Sequence, residues 1–139
     1  YNGWNFDGHD QIVIGEGVFD CIAIRQAFKK ETALNKVLPV ASFGKHISLS
    51  SGGQIDYLKK LRDKGLKVCT FMWDGEVEAL KDAVKAALEV AKLGLTVRVA
   101  TLPKDRDPNE CTPEEVIKAF WEAVPINRLS AIKFLLSLN

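Results

Sequence analysis

Residues 68 to 73 read Val-Cys-Thr-Phe-Met-Trp, an almost wholly apolar run with helical patterns on either side. A run this short, stopped at once by Asp74-Gly75, predicts a β-strand covered on both faces. Such a strand needs layers above and below its sheet, so the rest of the chain must supply them.

Three other β-type runs alternate with helical patterns. Ile12-Val13-Ile14 is followed by Cys21, Ile24, Ala27 and Phe28, which share one helical face. Val37 to Phe43 ends at Gly44, and Ile55, Leu58 and Leu61 mark the next helix, stopped by Gly65. After the apolar run, Leu80, Val84, Ala87, Leu88 and Ala91 keep amphipathic helical spacing, and Gly94 stands where a left-handed cap is wanted. Leu95, Val97 and Val99 alternate with Thr96 and Arg98 toward Leu102-Pro103, a fourth strand. Thr112-Pro113-Glu114-Glu115 starts a helix with Thr as N-cap, Pro at N1 and Glu at N3, and places Phe120 and Trp121 on its buried side. A last helical pattern, Asn127 to Leu138, is rich in apolar residues: Ile132, Phe134, Leu135, Leu136 and Leu138. The expected fold is α/β, a mainly parallel four-stranded sheet with helices on both faces, Rossmann-like in plan.

Composition agrees with a globular domain: 139 residues, 47% hydrophobic, with 19 Lys+Arg against 18 Asp+Glu and a net charge of +1. Bulk charge this close to zero gives weak nucleic-acid binding, so any such binding must be local or borrowed. No segment approaches the ~20 apolar residues of a membrane span, and no basic-then-apolar leader opens the chain. Cys21, Cys69 and Cys111 are odd in number and lack paired ligand spacing, which argues against a disulfide framework or zinc site and for the cytoplasm. The chain begins at Tyr1 and its only methionine is Met72, so we read it as a fragment with domains on either side.

In parallel sheets of this kind ligands bind beyond the carboxyl ends of the strands. Glu16 and Asp20 follow the first run, Asp74 and Glu76 the third, and Asp105-Arg106-Asp107-Pro108-Asn109-Glu110 the fourth. Taken singly, Asp20 reads as a helix cap, Asp74-Gly75 as a turn and Asp107-Pro108-Asn109 as a loop. Taken together, clustered carboxylates resist joint ionisation unless a cation is present. Magnesium suits them, because it accepts one or two carboxylates and completes its shell with water and phosphate. His9 and His46 have no partners in an identifiable triad.

The ordered set Glu16-Gly17-Val18-Phe19-Asp20, Asp74-x-Glu76 and Leu102-Pro103 followed by Asp107-Pro108-Asn109-Glu110 resembles the TOPRIM domain of DNA primases, topoisomerases and some nucleases. Ala41-Ser42-Phe43-Gly44, Leu49-Ser50, Gln54 and the Ala-rich helix Ala79 to Leu93 resemble the primase version, of the bacterial, phage or primase-helicase type. The resemblance implies a TOPRIM domain over residues 1–125 and, over 126–139, a helix leading to a missing neighbour. Glu16 and Asp20 would be catalytic, Asp74, Glu76 and Asp107 would hold Mg²⁺ or Mn²⁺, and Lys45, Lys104 and Arg106 would contact phosphates. Two positions depart from the family pattern: Glu76 stands where Asp is usual, and Asn109 where a second Asp is common. The implied activity is primer synthesis from nucleoside triphosphates on single-stranded DNA, with adjoining zinc-binding or helicase domains. A metal-dependent nuclease and a non-catalytic partner-binding domain are the alternatives. A receiver-like signalling domain also gathers acids at strand ends, but it wants a further strand ending in Lys.

Overall fold

The computed structural model describes residues 10–34, 36–41 and 54–138, with the backbone alone for residues 54 and 55. Its elements are β1 (Gln11–Gly15), α1 (Val18–Phe28), β2 (Val37–Ala41), α2 (Gln54–Asp63), β3 (Val68–Phe71), α3 (Val77–Ala91), β4 (Thr96–Val99), α4 (Pro113–Trp121), β5 (Val124–Pro125) and α5 (Arg128–Ser137). Short 3-10 turns lie at Thr32–Leu34 and Pro108–Glu110. The sheet order is β2-β1-β3-β4-β5, and the first four strands are parallel.

Sheet alternation divides the core into two layers. Ile12, Ile14, Leu38, Val40, Cys69, Phe71, Val97 and Val99 face α2, α3 and α5, in one cluster with Leu58, Leu61, Leu80, Val84 and Ala131. Val13 and Val37 face the opposite layer with Ile24, Phe28, Val116 and Phe120 of α1 and α4. The predicted face of α1, Cys21, Ile24, Ala27 and Phe28, is the buried one. The predicted glycine stops also hold: Gly94 has φ 86° and Gly65 φ 115°, values a side chain at Cβ disfavours.

The sequence reading differs from the structure at three points. The sheet has a fifth strand, antiparallel to β4, with Val99 opposite Val124 and Arg98 opposite Pro125. Two residues show no alternation, and proline is tolerated there only because the strand is an edge. The third run leaves the ladder at Phe71; Met72 still donates to the Ile14 carbonyl at 3.0 Å, and Trp73 is fully buried against Phe71. Trp121, expected on the buried side of α4, is 55% exposed, because Val116, Ala119 and Phe120 already fill the inward stripe and the next position turns away from it.

The helix start at Thr112 is as read: its hydroxyl accepts from Glu115 N–H at 3.2 Å, and Glu115 accepts from Thr112 N–H at 2.9 Å. Asn127 and Ser130 form the same reciprocal cap on α5. That helix turns Ala131 and, in part, Phe134, Leu135 and Leu138 onto the α3 layer, leaving Leu129, Ile132 and Leu136 exposed. No described helix is long and apolar enough to cross a membrane.

Burial sets the order of two neighbouring aromatic substitutions. Phe120→Ala empties a fully buried site and should cost about 3–5 kcal/mol in denaturant unfolding. Trp121→Ala removes one edge-to-face contact with Phe120 and should cost less than about 1.5 kcal/mol.

Candidate functional site

The strand order reverses at β1: α1 carries the chain from β1 to β2 on one side, and the chain then returns to place β3 on the other side of β1. Ligands favour the crevice that such a reversal opens beyond the strand ends. In register, Ile14 lies opposite Phe71, so β1 and β3 run out at nearly the same height. Glu16 and Asp74 leave the sheet there. They are joined directly, the Asp74 N–H donating to Glu16 Oε1 at 3.3 Å across 58 residues of sequence.

Asp20 sits in the first turn of α1, where its carboxylate accepts from the Gly17 N–H. It is partly buried, and its pKa is pushed up to about 6, first by burial and then by the charges of Asp107, Asp74 and Glu16 in that order. The Gly17 bond opposes the rise without cancelling it. Acids that follow three different strands therefore act on a single carboxyl group. Glu76 stands apart: it is the exposed N-cap residue of α3, and its side chain makes no capping bond.

The Asp107 loop is held by backbone contacts. Gly75 N–H donates to the Arg106 carbonyl at 2.8 Å, and a Cβ added to Gly75 would lie 2.1 Å from the Pro103 carbonyl oxygen. Only glycine lets the strand end and the loop approach this closely. Asp105 reverses the chain at φ 59°. Asp107 caps the following 3-10 turn, accepting from Glu110 N–H at 2.9 Å while the Glu110 carboxylate accepts from Asp107 N–H at 3.2 Å. The structural role that the sequence allowed for Asp107 is thus present alongside its place in the acidic group. Arg106 pairs with Glu115 at 3.4 Å and ties the loop to α4, while Lys104 is exposed. Lys45 and the segment Ser42-Phe43-Gly44 to Leu49-Ser50 lie outside the described residues, as do His9 and His46.

Thiol chemistry finds no support here. Burial pushes Cys21 up to about 11 and Cys69 up to about 12, and all three cysteines are unbridged. Among the described residues, no three His, Cys, Asp or Glu side chains are grouped closely enough to hold a metal ion between them. The edge instead offers a concentrated negative field flanked by the N-termini of α1 and α3, whose partial positive charge offsets part of it. A field of this kind fits a hard cation that takes few protein ligands and keeps water and phosphate in its shell.

A family model described as Toprim-like matches residues 13–112, well over half of the chain. The chain belongs to the Toprim-like family. Glu16, Asp20, Asp74, Glu76 and Asp107 all lie within the matched span. No curated protein matches the sequence. Among solved structures, the chain is similar to the Aquifex aeolicus primase, a crystal structure of its zinc-binding and RNA polymerase domains, at 17% identity and a TM-score of 0.56. The match covers 90% of this Toprim-like chain and 28% of that one, and it shows a shared fold.

Two features of this Toprim-like site escaped the sequence reading. Gly75 read as an ordinary turn residue, because a close approach to a loop some 30 positions away leaves no local trace. The exposure of Phe19 was also passed over, although its signal was there: position 19 is out of phase with the packed face Cys21, Ile24 and Phe28. Gly75→Ala should push the Asp107 loop from the β3 end and destabilise the fold by about 1–3 kcal/mol, the usual scale of overpacking. A thermal melt checks it, and an unchanged melt would mean that the loop is not held through Gly75.

Proposed function

We propose that this chain is the acidic, metal-binding part of a DNA primase catalytic core, which makes RNA primers on single-stranded DNA from nucleoside triphosphates. The observation that carries the reading is the convergence of Glu16, Asp74 and Asp107 on Asp20 at the strand-order reversal. Family membership and the likeness to a solved primase fold support it.

In this proposal Mg²⁺ or Mn²⁺ would be taken at the edge that Asp74, Glu76 and Asp107 form, with only one or two carboxylates bound to the ion at once and water and phosphate completing its shell. The ion, when bound, supplies neutralisation of charge developing on the transferring phosphate. Glu16 lies at the reacting phosphate, oriented by the Asp74 N–H. Asp20, whose pKa is pushed up to about 6, accepts a proton at its carboxyl oxygen more readily than an ordinary aspartate. Lys104, Arg106 and Lys45 meet substrate phosphates, and Arg106 then shares its charge with Glu115. Residues 1–125 form the catalytic unit in this reading. Helix α5 leads to a neighbouring domain, and zinc-binding or helicase domains adjoin in a larger cytoplasmic protein.

One observation favours a second reading. Glu76 replaces the Asp usual in the family and sits exposed at the N-cap of α3, as expected of a Toprim-like domain that keeps the fold and binds partners without catalysis.

Manganese titration followed by NMR separates the two. The primase reading expects paramagnetic broadening at residues 15–20, at 73–76 and around Asp107. Undisturbed signals there at millimolar Mn²⁺ would contradict it. In the larger protein, Glu16→Gln should lower primer synthesis by ~10²-fold or more without lowering the melting temperature.

A further inference from the structure

The first turn of α1 carries a residue that packing does not explain. Phe19 is 77% exposed and Val18 beside it 37%, while the helix packs through Cys21, Ile24, Ala27 and Phe28. Phenylalanine does nothing for a helix start, where acidic or capping side chains are favoured. A lone exposed apolar residue is common on any protein surface. This one has a particular address: it lies between Glu16 and Asp20, on the segment leaving β1 at the strand-order reversal, with its Cα about 3.8 Å from that of Asp20.

What can approach a phenyl ring at such an edge is limited by charge. Asp20, Asp74, Glu16 and Asp107 make the surroundings strongly negative, which opposes an acidic surface and, without a cation, a bare phosphate. A nucleobase is neutral, flat and apolar on its faces, and it lies within one nucleotide's length of a phosphate. We propose that the Phe19 ring is a stacking platform for a base of single-stranded nucleic acid whose phosphate is held at the acidic edge. This rests on the nucleotidyl-transfer reading above and adds to it a contact to the base. Stacking on a lone ring does not read sequence, because every base presents a π-face, so the contact tolerates any template. It also supplies local affinity to a chain whose net charge of +1 supplies almost none.

The test uses the whole chain in Mg²⁺ and two labelled oligonucleotides of equal length, one single-stranded DNA and one abasic throughout, followed by fluorescence anisotropy. Phe19→Ala should melt like the parent, bind the base-bearing strand ~10-fold more weakly and bind the abasic strand unchanged. Phe19→Trp should restore the affinity, and its indole emission should be quenched by the base-bearing strand alone. An unchanged affinity of Phe19→Ala for both strands would overturn the stacking. So would an equal loss on both, which would make the ring a contact for backbone or protein. If Asp74→Asn removes the magnesium-dependent binding of both strands while Phe19→Ala removes nothing, stacking fails and the nucleotidyl-transfer reading stands. If neither strand binds the parent chain in Mg²⁺, both fail together.

Discussion

The parallel pairing of β1 with β3 is the constraint on which the site depends. Both strands are buried on both faces, so a slip of one residue would turn Ile12, Ile14, Cys69 and Phe71 out of their layer. Because apolar packing holds the register, Glu16 and Asp74 leave the sheet side by side whether or not their charges favour it. The bond from Asp74 N–H to Glu16 is a consequence of that register. Carboxylates gathered this way repel one another, and the hydrophobic layers beneath offset the cost.

The remaining acids are brought in by devices of different physical kinds. Asp20 is placed by the start of α1, one short turn after β1. Asp107 comes from a loop pinned by a backbone contact that only glycine at position 75 permits, and by the Arg106–Glu115 pair to α4. The reciprocal caps at Asp107 and Thr112 make the 3-10 turn and α4 begin at fixed residues, so the loop between β4 and α4 has little freedom. One side chain, Asp107, serves both the cap and the charge cluster. Removing it would therefore change folding and electrostatics together, which Glu16 and Asp20 would not do to the same degree.

Much of this was legible in the sequence, for reasons that differ by element. The phase of Cys21, Ile24, Ala27 and Phe28, the Thr112 cap and the Gly94 stop are local signals, written in residues that touch one another. The acids at the strand ends were legible because a parallel sheet fixes which end carries ligands. Two features that escaped depend on distant contacts, the two-residue edge strand at Val124–Pro125 and the backbone approach at Gly75, while the outward turn of Trp121 is a matter of local phase, one position past the inward stripe that Phe120 completes. Glu76 shows the limit of a motif, since sequence spacing joins it to Asp74 while the helix start carries it to an exposed cap position.

Convergence of the four carboxylates is tested most directly by the titration of Asp20, followed through its carboxyl carbon by NMR in chelator. A folded pKa above the ordinary 3.8 means that the folded state takes up its proton first as pH falls. Asp20 therefore weakens the metal-free fold above pH 6, and that penalty fades between pH 6 and 4. The account expects a midpoint of about 6 without metal and a fall toward the ordinary carboxylate range when Mg²⁺ is added. A midpoint near 4 in chelator, unmoved by Mg²⁺, would mean that Glu16, Asp74 and Asp107 do not act on Asp20, and the acidic edge would not exist as a unit.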